Sequence, residues 1–283
     1  MPAGSAIEVQ ELYVDYPSAK PLFRARTRTG QGFPQPRERR HRALHDVTFQ
    51  VAPGERVGIA GMNGAGKSTL FRTIAGILKP AHGSVHVGGY AVGSPHRLPV
   101  GYMTVRPLLY RRITGYENLR YVAHLYHVPN VDERIEMLVE RVGLSDRLHS
   151  YVEQYSTGMM ARLDLARTLL PNPPLLLLDE PFWAFDVRFA EEAREIIRES
   201  HATVLLATHN LADIEKLTHR IILLHEGRLI RDVAFEELSE VAPVHKAKTL
   251  TIVEFVDILL RRSVAPDHQP GHRSLHRKYV LSS

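Results

Sequence analysis

Gly61-Met62-Asn63-Gly64-Ala65-Gly66-Lys67-Ser68-Thr69 has the spacing G-x-x-x-x-G-K-S. Residues of these types at this spacing are suited to holding phosphate groups. The glycines let the backbone turn tightly and bring its N–H groups close to an anion. A helix starting at about Lys67 points the positive end of its dipole at the same anion. Lys67 adds a point charge for β- and γ-phosphates, and the Ser68 hydroxyl is a ligand for Mg²⁺.

Two further signals can act on such a phosphate. Leu178-Asp179-Glu180 closes an apolar run. A carboxylate at the C-terminal end of a buried strand lies at the ligand crevice of an open sheet. Asp179 is suited to hold Mg²⁺ through water, and Glu180 to polarise an attacking water. Thr208-His209-Asn210 closes the next apolar run and aims His209 at the γ-phosphate. Tyr155-Ser156-Thr157-Gly158-Met159 precedes a helical pattern, where small residues make a second anion site or an ordinary N-cap. Ala184-Phe185-Asp186 carries little meaning alone.

These groups need a scaffold. Arg56 to Ala60 reads as a strand before the loop, and Leu70 to Leu78 as an amphipathic helix after it. Ile7 to Leu12, Val47 to Val51, Ser84 to Val87 and Val100 to Met103 read as strands. From about Ile113 to Leu170 the periodicity is helical, with runs at Glu117–Tyr126, Val131–Val142 and Met159–Leu170. Leu175 to Leu178, bounded by prolines and Asp179, reads as a strand buried on both faces. Helix, strand and helix follow at Val187–Ser200, Ala202–Ala207 and Leu211–Leu217. A hairpin turns at Glu226-Gly227, and a short helix is expected at Phe235–Val241. Alternating strands and helices argue for an α/β sheet interrupted by a helical section.

The 283-residue length allows one large domain or two modest ones. There are no cysteines, which excludes a disulfide framework and thiolate metal sites. Met1 to Ala6 lacks the pattern of a secretory signal, and no stretch approaches the roughly 18 apolar residues that span a bilayer. The net charge of +5 is too small for a chain built around nucleic acid. Its distribution is uneven. Arg24, Arg26, Arg28, Arg37, Arg39, Arg40 and Arg42 crowd a Gly- and Pro-containing segment at 17–42, which reads as a loop insertion. Arg261, Arg262, Arg273, Arg277 and Lys278 lie near the end, after a run at Ile252–Leu260 that reads as an amphipathic helix. Each cluster is either a solvated segment or a contact for anionic headgroups.

Taken in order, these motifs resemble the ATP-binding-cassette ATPases of membrane transporters, over about residues 7–240. The resemblance implies a P-loop NTPase (RecA-like) core with an antiparallel β subdomain and an inserted α-helical subdomain at about 104–170. It puts an ATP-binding domain at 1–242, with the basic insertion at 17–42, and a C-terminal helix and basic tail at 243–283. Gly61 to Thr69 matches Walker A, so Gly61, Asn63, Gly64, Ala65, Gly66, Lys67, Ser68 and Thr69 are expected against ATP. Leu175 to Asp179 matches Walker B, with Glu180 as general base and Ser68 and Asp179 toward Mg²⁺. Tyr155 to Met159 stands where the family signature stands, Asp186 where its D-loop aspartate stands, and His209 where its switch histidine stands. Tyr16 is the candidate for stacking on adenine, with Tyr13 in reserve.

The resemblance also implies a head-to-tail homodimer. Ser156, Thr157 and Gly158 of each copy would then cap the γ-phosphate held by the other copy's Lys67. One position departs from the family pattern: Val105 stands where a glutamine is usual. Valine cannot ligate Mg²⁺ or hold a water, so either Thr104 or a neighbour substitutes or the metal has one protein ligand fewer. The form Tyr-Ser-Thr-Gly-Met and the basic segment are similar to those of ABC-2-type exporters of polysaccharide, O-antigen and teichoic acid. The expected partner is a separate transmembrane permease at the cytoplasmic face of the cell membrane. Alternatives are export of a drug, lipid or natural product, or a ribosome- or DNA-associated cassette; no nucleic-acid partner is expected.

Overall fold

A computed structural model describes residues 6–17, 40–96 and 98–237. Its strands, in chain order, are β1 (Ile7–Pro17), β2 (Arg40–Val51), β3 (Arg56–Ala60), β4 (His82–Val87) and β5 (Tyr90–Ala91). Then come β6 (Val100–Met103), β7 (Leu175–Asp179), β8 (Thr203–Ala207), β9 (Arg220–His225) and β10 (Arg228–Ala234). The helices are α1 (Lys67–Ile74), α2 (Gly115–Leu125), α3 (Val131–Arg141), α4 (Thr157–Leu169), α5 (Val187–Glu199) and α6 (Leu211–Leu217).

The strands form a six-stranded sheet in the order β10-β9-β3-β8-β7-β6 and a four-stranded antiparallel sheet in the order β2-β1-β4-β5. In the larger sheet β9, β3, β8, β7 and β6 run parallel, and β10 pairs antiparallel at the edge. Successive residues of a strand point to opposite faces, so a strand buried on both faces must be apolar throughout. The leucine run of β7 shows why it is a strand. Leu175 and Leu177 enter one core with Val57, Ile59, Leu205 and Ile222, against α1 and the antiparallel sheet. Leu176 and Leu178 enter the other core with Leu206 and Leu223, against Leu163 of α4, Ile197 of α5 and Ile214 of α6.

Consequently the C-terminal ends of β3, β7 and β8 emerge side by side. Asp179 pairs with Ala207 across β7 and β8. The chain leaves β6 for α2, α3 and α4 before returning as β7. A capping box, Thr114 with Glu117, starts α2.

Two expectations need correction. The strand expected at Val47 begins at Arg40, so residues 40–42 of the basic segment belong to β2. Arg42 pairs in register with Asp15, donates to its carboxylate at 2.8 Å and lies 5.1 Å over the Tyr13 ring. His41 and Arg42 are exposed on an antiparallel strand, which composition alone cannot distinguish from a loop. Helix α1 stops at Ile74, because Gly76 at φ 76° donates to the Thr73 carbonyl oxygen and breaks the run short of Leu78. The rest of the basic segment, the helix expected at 252–260 and the tail lie outside the described residues. At 235–241 a single 3-10 turn, Phe235–Glu237, is described.

Candidate nucleotide site

The loop between β3 and α1 is shaped by elements far away in sequence. Gly66 has φ 104° and forms the N-cap of α1. A Cβ there would come within 2.6 Å of Leu44 Cδ2 and 3.1 Å of the Ala43 oxygen, both on β2. The Gly227 N–H, from the β9–β10 turn, donates to the Ala65 oxygen at 3.1 Å, and the His45 N–H donates to the Gly227 oxygen at 2.8 Å. Thus the loop is clasped between the two sheets.

Helices α2, α4, α5 and α6 open on side-chain caps from Thr114, Ser156, Asp186 and Asn210. Helix α1 opens on Gly66 with no side-chain cap. Its first N–H groups have no acceptor within the helix. They belong to residues that line a cleft of about 820 Å³. An uncapped helix start on a glycine-rich loop fits an anion such as a phosphate chain.

Lys67 is buried, with Nζ donating to the Gly61 oxygen at 2.7 Å and the Met62 oxygen at 3.2 Å. Burial lowers its ammonium below the usual lysine range, and Glu180 and Asp179 partly oppose that. A phosphate held in the loop would supply a closer counter-charge.

Asp179 is buried at the end of β7. Glu180, next in the chain, has φ 54°, and its N–H donates to the Ala207 oxygen at 2.7 Å. A non-glycine residue held there costs on the order of 1–3 kcal/mol. This step ends the strand and leaves the carboxylate facing the β8–α6 loop. Thr208 Oγ1 donates to Glu180 Oε2 at 2.9 Å, the His209 N–H donates to Oε1 at 2.8 Å, and His209 Nε2 is 3.5 Å from Oε1. Both His209 and Glu180 line the cleft.

Ser68 and Asp179 also line it, and their hard oxygens suit Mg²⁺. Among the described residues no group of three or more His, Cys, Asp or Glu could hold a metal alone. Mg²⁺ takes one or two protein ligands and completes its shell with phosphate oxygens and water. Val105 is 43% exposed and sits on the cleft wall. The Thr104 hydroxyl donates to the Arg106 oxygen at 2.6 Å, within its own turn.

Tyr16 lies on the wall with its hydroxyl 3.3 Å from Thr69 Oγ1. Tyr13 instead meets His82 edge-on with centroids 6.1 Å apart. The cleft therefore gathers Tyr16, Asn63 to Thr69, Val105, Asp179, Glu180 and His209. Ser156, Thr157, Gly158 and Asp186 are not on its wall; they form a second constellation. Ser156 Oγ accepts from the Met159 N–H at 3.2 Å, and a Cβ on Gly158 would lie 3.3 Å from the Ala184 oxygen. Asp186 accepts from Phe189 N–H at 2.9 Å and Arg162 Nη2 at 2.8 Å; these bonds, the backbone one foremost, lower its carboxyl. Sequence reading missed His41, Arg42, His45, Glu226 and Arg228, which also line the cleft. Their place depends on β2 and the β9–β10 turn meeting the loop, for which the sequence carries no local signal.

A mainly parallel sheet with a phosphate loop at the C-terminal end of a central strand, a strand-end Asp-Glu pair and a facing histidine defines a nucleoside-triphosphatase cassette. Residues 44–183 match the family model described as ABC transporter. The chain is 36% identical over 219 residues to the uncharacterised ABC transporter ATP-binding protein YdbJ of Bacillus subtilis (strain 168), covering 72% of this chain and 71% of that one. It is 32% identical over 253 residues to the methionine import ATP-binding protein MetN of Nocardia farcinica (strain IFM 10152), covering 84% and 74%. A solved ATP-binding subunit of an ABC transporter superposes with a TM-score of 0.76 at 28% identity, over 90% of this chain and 100% of that one. The chain belongs to the ABC transporter family, as an ATP-binding subunit and ATP hydrolase. The expected α/β P-loop fold holds. The dimeric cassette MJ0796, solved with ADP and Pi, superposes with a TM-score of 0.68 at 23% identity, over 81% of this chain and 98% of that one. Among the described residues no helix is long and apolar enough to cross a membrane.

Proposed function

We propose that this chain is the ATPase of an ABC-2-type exporter that moves a polysaccharide or lipid-linked glycan through a separate permease. The observation that carries the hydrolytic part is the cleft that holds Lys67, Glu180 and His209 together. Gly61, Asn63 to Thr69 and Lys67 hold the phosphates, and Tyr16 stacks on adenine. Ser68 and Asp179 hold Mg²⁺, which neutralises phosphate charge when bound. Glu180 polarises the attacking water and His209 contacts the γ-phosphate. Ser156, Thr157, Gly158 and Asp186 serve the second copy's site in a homodimer. Their separation from the cleft within one chain supports this reading.

The cassette occupies 1–242, with a helical subdomain at about 104–170, and 243–283 is an appendage. A groove of about 640 Å³ beside α2, lined by the exposed Ile77, Leu108, Leu125 and Tyr126 together with His127 and Arg167, suits a permease segment. The glycan assignment rests on the signature form and the basic segment; a drug, lipid or natural product is the alternative cargo. The site of action is the cytoplasmic membrane face.

The test has two arms. Wild type should release phosphate from ATP only with Mg²⁺, and Glu180→Gln should form an ATP-dependent dimer in size exclusion. Affinity purification should recover a transmembrane protein and no nucleic acid. Loss of surface glycan on deletion supports the cargo, and unchanged glycan with lost drug or lipid efflux replaces it. A chain that neither dimerises nor turns over ATP overturns the mechanism.

A further inference from the structure

We infer that Arg194 is a positioning residue for hydrolysis, holding the Glu180 and His209 segments in register. This rests on the proposed roles of Glu180 and His209. Arg194 lies on α5, touches neither the cleft nor the phosphate loop, and is only 6% exposed. Its Nη2 donates to Oδ1 of Asp213, which is itself buried on α6, and its Nη1 lies 2.8 Å from Glu191 Oε2. Its guanidinium carbon sits 5.0 Å over the ring of Phe182. Phe182 follows Glu180 by two residues, and Asp213 follows His209 by four.

From Asp213 a chain of bonds returns to the cleft. The Asp213 N–H donates to the Asn210 oxygen at 3.0 Å, the Asn210 N–H to Thr208 Oγ1 at 3.1 Å, and that hydroxyl to Glu180 Oε2 at 2.9 Å. Through Phe182 the covalent chain returns to Glu180 from the other side. One guanidinium thus closes a ring of contacts around the carboxylate.

The burial is costly. Arg194 Nε has no hydrogen-bond partner among the described residues, and apolar residues of similar volume often replace buried ion pairs without loss of stability. A purely structural role is therefore separable from a positioning role. The cation over Phe182 and the single Nη2 bond to Asp213 fix where two loops sit, and small misplacements of a reacting group are expensive in rate.

The experiment compares wild type, Arg194→Met/Asp213→Leu, Arg194→Lys and Glu180→Gln in full-length chain with Mg²⁺ and ATP. Melting temperature, fluorescent-ATP affinity, KM and kcat are read. The double variant should keep its melting temperature and nucleotide affinity while kcat falls about tenfold or more at unchanged KM. Arg194→Lys, which keeps the charge, should recover part of the rate. A kcat within about twofold of wild type in the double variant, with Glu180→Gln inactive, overturns the inference alone. Turnover by Glu180→Gln overturns the underlying reading instead. If the double variant fails to fold, Arg194→Lys and Phe182→Leu decide: a kcat loss at constant KM in both supports positioning, and wild-type rates in both overturn it.

Discussion

One oxygen of Glu180 takes two contacts from His209: the backbone N–H at 2.8 Å and ring Nε2 at 3.5 Å. The backbone bond fixes the spacing of the two segments without the ring. The ring is half exposed on the cleft, free to turn from carboxylate to phosphate. His209→Ala should therefore leave the Glu180 carboxylate in place and lower kcat by roughly 10²-fold, with nucleotide affinity unchanged. Phosphate release and fluorescent-nucleotide titration separate the two. A parallel loss of affinity and rate would make His209 a ground-state binding residue.

Lys67 is held in the loop by the oxygens of Gly61 and Met62 at the cost of desolvation. Lys67→Met removes a buried ammonium that, among the described residues, has no carboxylate within ion-pair distance. The nucleotide-free variant should melt no lower than wild type. It should also lose the thermal shift that ATP gives wild type, since that shift follows affinity. Nucleotide binding should weaken by roughly 1.5–3 kcal/mol, the usual range for a hydrogen bond to a charged group. Calorimetric melting with and without ATP measures both.

Much of this site was legible because its residues are contiguous and sit at strand ends. The Leu175–Leu178 run between prolines and Asp179 identifies a two-sided buried strand, and so places the carboxylates at a crevice. Arg40 to Arg42 misled, because a wet antiparallel strand and a basic loop share a composition; only the register with Asp15 and Tyr16 separates them. His45 and Arg228 were invisible for another reason. They reach the cleft through backbone bonds such as Gly227 to Ala65, and backbone bonds leave no residue signature. Arg194 carries no local signal either, since Phe182 and Asp213 reach it from two other segments.

Val105 presents a half-exposed apolar side chain where the cleft wall meets the loop after β6, and Thr104 is engaged by Arg106. A valine side chain has no group with which to hold a water. Val105→Gln adds an amide able to do so, at an exposed position that tolerates it. The expected gain is about tenfold in kcat, roughly 1.4 kcal/mol of barrier, with KM for ATP unchanged. Initial rates across ATP concentrations measure it, and an unchanged kcat would mean that the cleft holds its water by other groups.

Ser156 carries two roles that substitution can pull apart. Its hydroxyl caps α4 by accepting from the Met159 N–H at 3.2 Å, and the proposed dimer uses the same helix start against the partner's γ-phosphate. Ser156→Ala removes the cap, which should cost about 1 kcal/mol, or a fall of roughly 2–4 °C in Tm for a chain of this size. Ser156→Asp keeps a capping oxygen, because aspartate caps as well as serine, so its Tm should stay at the wild-type value. Yet its carboxylate would face another copy's phosphate chain. In a Glu180→Gln background, Ser156→Asp should abolish the ATP-dependent dimer in size exclusion while each monomer still binds fluorescent ATP. An intact dimer in that variant would confine Ser156 to capping its own helix.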